Sequence, residues 1–174
     1  MERIDLEARA GVDGDLGVLI ATLLDGGREW RENLGNPSPE AVVWQPYPNG
    51  PSIGGLILHI ASCEWYWLGT FANGEPEPVG NPAIEYDLAL DQYGPHWPAP
   101  PAQPIEWYFE ILDAQRAQTV EMIRAHGNPK RTLPRKDYKV TYEWIVAHLV
   151  EHDSYHGGQA VLLHEMRKAM TGIS

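Results

Sequence analysis

SIGGLILHIASCEWYWL, residues 52–68, is the most apolar helical stretch of the 174-residue chain, and it carries one histidine, His59. Its apolar side chains recur at the three- and four-residue spacing of a helix with a wide buried face. Ser52 follows Pro51 and is suited to cap the first turn, because a serine side chain accepts a hydrogen bond from a free backbone N–H. The stretch therefore predicts a buried helix that begins just after Ser52.

Proline placement divides the rest of the chain. Helix interiors exclude proline, which lacks a backbone donor and clashes with the preceding turn. The 15 prolines leave four proline-free windows, 1–36, 52–75, 105–128 and 135–174, and each has apolar residues at helical spacing. The strand signal is weak, and only Asp137–Val140 could be extended. We therefore predict one all-α domain over residues 1–174, a four-helix bundle.

The segment from Asn73 to Pro104 is long for a simple loop and long enough to run the length of a bundle. It predicts a crossover between helices 2 and 3, with those two helices roughly parallel. Its aromatic side chains could form a lid over a pocket, or pack against the bundle or a second subunit; they are Tyr86, Tyr93, His96 and Trp97.

Charge and composition exclude several classes of protein. The net charge of −11 disfavours binding to a nucleic-acid backbone, which needs a basic face. One cysteine excludes an internal disulfide framework and fits a reducing compartment. The first residues, MERIDLEARAGVDGD, do not resemble a signal peptide, and no apolar run approaches the roughly 20 residues that span a bilayer. We expect a cytoplasmic protein with a small-molecule substrate and no membrane partner, and the aromatic content is compatible with a homodimer.

Three histidines, His148, His152 and His156, repeat every four residues in the fourth window. Residues at this spacing share one helix face, and the apolar neighbours on that face turn it inward. Buried imidazoles need partners, and a divalent ion provides one. His59 is the best candidate for a third ligand beside His152 and His156, and three protein ligands leave coordination positions open, as in catalytic sites. The same histidines could instead be core residues hydrogen-bonded to Tyr, Glu or backbone.

Several neighbours of these histidines have open roles. His148 could hydrogen-bond a ligand, act as an acid or base, replace a ligand, or simply pack. Cys63 lies one turn beyond His59 and could bind a soft metal or react, but a buried inert cysteine is the stronger expectation. Glu151 could orient a histidine or form a salt bridge between helices. Gln159 could contact the site, and Glu64 is expected to pair with another helix.

Two further features of the sequence call for an explanation. Gly157 and Gly158 lie inside the fourth helix, where each costs about 1 kcal/mol relative to alanine, so we expect a close backbone approach there. Four basic residues fall within seven positions and could attract an anionic substrate or form a solvated loop; they are Lys130, Arg131, Arg135 and Lys136.

The end of the chain resembles the DinB-like (YfiT-like) family of metal-binding four-helix bundles. The family motif HxxEHxxxHxGQ is matched at six positions, His148, Glu151, His152, His156, Gly158 and Gln159. Upstream, Trp44-Gln45-Pro46, Ser52-Ile53-Gly54 and His59 also follow the family layout. The resemblance implies a metal triad of His59, His152 and His156, and family members are similar to transferases of low-molecular-weight thiols.

Three functions follow from these observations as expectations. The first is an enzyme in which one zinc, nickel or iron ion activates a low-molecular-weight thiol for transfer to an electrophile or for an isomerisation. The second is a metal-dependent hydrolase, which needs a carboxylate general base near the site. The third is a non-catalytic module that senses a metal or ligand, in which the ion is structural and a fourth ligand, His148 or Cys63, closes the site. A bundle without metal is a further alternative, and it predicts that a chelator and added metal leave thermal stability unchanged.

Overall fold

The computed structural model describes residues 12, 14–91, 94, 96–126 and 128–172. Most of the N-terminal stretch considered as a signal peptide, and Tyr93 of the aromatic connection, lie outside these residues. In chain order the helices are α1 (Asp15–Leu34), α2 (Pro39–Val42), α3 (Ile53–Trp65), α4 (Pro82–Leu88), α5 (Ile105–His126) and α6 (Tyr142–Thr171). A π-helical segment, Tyr66–Asn73, continues α3, and two short strands, β1 (Thr132–Pro134) and β2 (Lys139–Thr141), precede α6.

The long helices α1, α3, α5 and α6 form the predicted bundle. Helices α3 and α5 are parallel, because Gly54 lies against Tyr108 near the start of both, while Glu64 binds Arg116 farther along. The connection between them therefore crosses the length of the bundle, as predicted. None of the helices in the described part of the chain is both long and apolar enough to span a membrane.

Helix α6 runs antiparallel to α3, and it is parallel to α1 because Gly26 lies against Ser154 while Trp30 lies against Gly157. Its later turns bring His152 next to His59 of α3, and its first turn brings Trp144 next to Trp67 in the π-helical segment. Thr141 begins α6 by accepting a hydrogen bond from the backbone N–H of Trp144, as predicted from its position. The bundle therefore has an up–down–down–up order, in which α3 and α6 face each other in opposite directions.

The short elements differ from the sequence-based prediction. Helices α2 and α4 lie in proline-rich segments, and each begins with a proline, Pro39 or Pro82, behind a capping Ser38 or Asn81. Proline is tolerated in the first turn of a helix because its missing N–H would be unbonded there anyway. The assumption that proline-rich segments contain no helix was therefore wrong for both. The extended segment predicted at Asp137–Val140 begins later, at β2, and its antiparallel partner β1 was not predicted.

The two glycines of α6 behave differently. A Cβ atom at Gly157 would lie 2.4 Å from the ring of Trp30, so the close approach expected there is confirmed. No atom lies within 4 Å of a Cβ at Gly158, which is exposed, so the same expectation was wrong for that residue. Only Gly157 is therefore required by packing between α1 and α6.

A buried ionic cluster ties the four long helices together. Arg116 donates through Nε to Glu64 at 2.7 Å and through Nη2 to Asp153 at 2.6 Å. Thr119 donates to the second oxygen of Glu64, and Trp30 Nε1 donates to the second oxygen of Asp153. Burial raises the pKa of Glu64, and the Arg116 charge opposes that shift. Glu64 pairs with a residue of another helix, as expected. Because it is buried and bound to Arg116, its carboxylate is not available to act on a substrate.

Candidate metal centre

Three histidines meet between α3 and α6, and they are those predicted as the triad. One ligand atom each of His59, His152 and His156 lies within 4.8 Å of the other two. The Nε2 atoms of His59 and His152 are 3.2 Å apart. Two nitrogens bound at the usual zinc distance of about 2.0–2.1 Å to one tetrahedral ion would be roughly 3.3 Å apart. The trio could therefore hold one metal ion.

The trio depends on how the two helices face each other. His152 and His156 lie one turn apart on α6 and present neighbouring rings, whose centroids are 4.4 Å apart. His59 approaches from the apolar helix α3, with centroids 4.9 and 5.0 Å from those two rings. The four-residue spacing on one helix and the lone histidine on the other therefore converge, as the sequence indicated.

Two hydrogen bonds orient the rings. His59 Nδ1 donates to the carboxylate of Asp87 at 2.6 Å, and His156 Nδ1 donates to the side-chain oxygen of Gln159 at 2.7 Å. Each bond places the proton on Nδ1 and leaves the Nε2 lone pair for a metal, and such partners raise the basicity of a ligand. The expected contact of Gln159 with the site is present.

Asp87 was not among the residues predicted from the sequence. It lies on α4, within the proline-rich connection, 28 residues from its partner His59. The Asn81–Pro82 pair signals the start of that short helix, but no spacing rule links a residue on it to a histidine in α3. The carboxylate was therefore missed because its position depends on how the long connection folds back.

Burial keeps the histidines of α6 neutral. It lowers the pKa of His152 to about 2, with the neighbouring imidazoles acting in the same direction. It also lowers the pKa of His156 to about 4, although the hydrogen bond to Gln159 opposes that shift. A neutral imidazole is the form that binds metal, so both residues are ready as ligands at neutral pH.

The trio lies in the wall of a cavity of about 720 Å³. This volume is within the range of about 300–1,000 Å³ that is typical of small-molecule sites. Trp97, from the long connection, lies edge-on to His59 with ring centroids 5.7 Å apart. Of the aromatic residues of the connection, Trp97 therefore lies at the cavity, whereas Tyr86 packs on the bundle and donates to the backbone oxygen of Pro98, and His96 is exposed.

His148 lines the same cavity but is not one of the three grouped ligands. Its ring stacks on Trp144 with centroids 5.2 Å apart, and Trp67 lies edge-on to it at the same distance. Burial lowers its pKa, and the charge of Glu151 opposes that shift. His148 therefore belongs to an aromatic wall next to the trio.

Cys63 and Glu151 do not complete the trio. Cys63 is buried in the cavity wall, and burial raises the pKa of its thiol, so it stays protonated at neutral pH. This fits the expectation of an inert cysteine. Glu151 is exposed, and no partner across the bundle is found for it among the described residues, so the salt bridge between helices suggested for it is absent there.

The basic cluster separates into residues with different roles. Lys130 pairs with Glu143, and Arg131 donates to the backbone oxygen of Ala72 at 2.9 Å. Lys136 is exposed, whereas Arg135 lines the cavity that contains the trio. Of these four basic residues, Arg135 is therefore the one found in the wall of the cavity among the described residues.

A comparison with protein families gives the relationship directly. The family model described as the DinB superfamily matches residues 23–160, which include all three histidines and Asp87. The chain belongs to the DinB superfamily. A search of the curated proteins gives no match. Membership in the DinB superfamily agrees with the helical bundle and with a possible metal site, and it does not by itself specify a reaction, because one fold hosts many functions.

Proposed function

We propose that this DinB-superfamily protein is a metal-dependent transferase that joins a low-molecular-weight thiol to an electrophilic substrate, or uses the thiol in an isomerisation. One observation carries the proposal. The three histidines lie together in the wall of a cavity, and two of them are oriented by hydrogen bonds from the far side of the ring. Such an arrangement suits an ion that must also bind a small molecule.

The chemistry of the three ligands fits a borderline divalent ion. Neutral imidazoles suit zinc, nickel and iron(II), and affinity alone would not separate these metals. An ion held there would supply the positive charge that favours the thiolate form of a bound thiol. The proposal therefore includes one divalent ion, held by His59, His152 and His156.

The residues of the chain would orient the ligands and limit water. Asp87 and Gln159 each accept a hydrogen bond from Nδ1 of one ring, which leaves the Nε2 lone pair of that ring for an ion. Trp67 and Trp97 form apolar walls next to the trio. Apolar walls strengthen electrostatic interactions and reduce competition from water for an electrophile.

A hydrolase is the second candidate, and the acids near the site do not favour it. A hydrolase needs a general base close to the attacking water. Asp87 is bound by His59, Glu64 and Asp153 are bound by Arg116, and Glu151 is exposed. A thiol, whose free pKa is about 8.5, loses its proton far more readily than water and can do so without such a base.

A structural ion would need a closed set of ligands. Sites of that kind generally have four protein ligands. Within the described part of the chain, only three residues are grouped as ligands, and His148 and Cys63 line the same cavity but lie outside that group. A non-catalytic module is therefore the less supported reading.

Elemental analysis of the purified protein tests the metal part of the proposal. The double variant His152→Ala/His156→Ala is compared with His164→Ala, which removes a histidine of α6 outside the trio. We expect about one equivalent of metal in the parent and in His164→Ala, and almost none in the double variant. Little metal in the parent, with no change in melting temperature when zinc, nickel or iron is added, would overturn the proposal in favour of core histidines.

A screen of the metal-loaded parent tests the reaction. Thiol loss is followed with small thiols and a panel of electrophiles, with the double variant as the background. Thiol consumption that depends on both metal and electrophile supports a transferase. Hydrolysis of ester or amide substrates without thiol would favour the second candidate instead.

A further inference from the structure

Arg135 contributes a positively charged side chain to the wall of the cavity that contains the three histidines. Its side chain lines that cavity, and its Nη1 atom is buried without a hydrogen-bond acceptor among the described residues. Nearly all buried polar atoms in folded proteins have a partner, and a missing one requires an explanation. The guanidinium therefore has hydrogen-bonding capacity that no described residue uses.

Aromatic rings hold the guanidinium in place. Its carbon lies 4.9 Å from the ring centre of Trp67, 5.1 Å from that of Phe71 and 5.9 Å from that of Tyr138. Cation–π contacts of this kind position an arginine without using its hydrogen-bond donors. The guanidinium is therefore held next to the cavity by contacts that do not use its hydrogen-bond donors.

The charges around the cavity leave Arg135 unbalanced. The only other charged side chain among the described lining residues is Asp87, and His59 already binds it. The neighbouring basic residues Lys130 and Arg131 are engaged away from the cavity. Arg135 is thus a fixed positive charge in the cavity wall of an acidic protein.

We propose that Arg135 binds a carboxylate group of the small-molecule substrate while the reacting end of that molecule lies at the histidine trio. This assignment rests on the proposed function, and it adds the substrate class: a thiol or electrophile that bears a carboxylate. The planar guanidinium forms two parallel hydrogen bonds with a carboxylate.

The test uses cobalt-loaded protein, whose visible spectrum changes when a thiolate binds the ion. The probes are mercapto-carboxylates of three to six carbons and their methyl esters. We expect the parent to bind the best acid at least about tenfold more tightly than its ester, as one charged hydrogen bond would give. The preference should disappear in Arg135→Met, whose side chain still packs on the rings. It should persist in Lys136→Met, which removes the same charge from the next residue.

The outcomes separate the two proposals. An equal preference for the acid in Arg135→Met, or no preference in the parent at any chain length, would overturn the carboxylate site. If neither the acid nor the ester changes the spectrum, the proposed binding of a thiol to the ion is wrong. Calorimetry with 4-phenylbutyrate, a carboxylate without a thiol, then tests the carboxylate site at Arg135 separately. Binding by the parent that is lost in Arg135→Met would support it, and no binding by the parent would overturn it. If Arg135→Met does not fold, Arg135→Lys replaces it, and the same preference should be weakened.

Discussion

Replacing Asp87 tests whether a residue of the long connection controls the metal centre. Asp87 accepts a hydrogen bond of 2.6 Å from His59 Nδ1, and the pair lies in the wall of the cavity. The variant Asp87→Asn keeps the size of the side chain and removes the negative charge that stabilises the Nδ1–H form. The amide oxygen can still accept from Nδ1, so the ring of His59 keeps its orientation but loses the negative charge that strengthens its bond to a metal.

The expected loss follows from the contact. Removing such a partner of a metal-binding histidine typically weakens metal affinity by about 10- to 100-fold. That range corresponds to roughly 1.4–2.7 kcal/mol of binding free energy. Glu85→Gln is the matched control, because Glu85 is an exposed residue of the same helix and its replacement changes the net charge equally.

Competition against a chelator of known zinc affinity measures the effect at fixed pH. A second comparison uses the variant His59→Ala as the background. If Asp87 acts through His59, Asp87→Asn should have almost no further effect there, since the coupled effects of residues in contact do not add. Zinc affinity in Asp87→Asn equal to that of Glu85→Gln would refute the reasoning, and so would an undiminished effect in the His59→Ala background.

Three further predictions concern stability. In thermal or urea unfolding, Gly157→Ala should lose about 1–3 kcal/mol, because the new Cβ would lie 2.4 Å from Trp30, whereas exposed Gly158→Ala should gain up to about 1 kcal/mol. Arg116→Met should lose about 3–5 kcal/mol because it leaves two buried carboxylates without their cation, and Arg28→Met, at a surface ion pair, should barely change the unfolding midpoint. Metal-free protein should lose stability as the pH falls from 6.5 towards 4. Burial lowers the pKa of His152 to about 2 and that of His156 to about 4, so the unfolded chain takes up protons before the folded protein does. Melting curves measured across that pH range for the parent and for the variant that lacks both histidines check this prediction.

The long helices could be predicted because their signals are local. Proline-free windows and helical apolar spacing depend on neighbouring residues, and so do the N-caps Ser52 and Thr141. The short helices α2 and α4 were missed by the search for proline-free windows, because proline is compatible with the first turn of a helix. The hairpin escaped because three-residue strands are too short to show an alternating pattern.

The residues of the candidate site differ in the same way, because some are indicated by local signals in the sequence and others are not. His152 and His156 were predictable from spacing on one helix, and His59 from its place in the most apolar helix. Asp87 and Arg135 were not, because each reaches the cavity from a segment whose path depends on the finished bundle. The basic cluster in the sequence did contain Arg135, but only the structure separates it from neighbours that are engaged elsewhere.

Helix α6 explains how the core and the candidate site are built together. Successive residues of a helix are turned by about 100°, so His152 faces the cavity while Asp153 faces the Arg116 cluster. Arg116 also binds Glu64, which lies on the same helix as His59. The cluster therefore links α3 and α6, the two helices that carry the trio, through Arg116 of α5. Buried ion pairs are weak evidence for stability, and we expect this cluster to contribute instead by specifying the alignment on which the three convergent nitrogens depend.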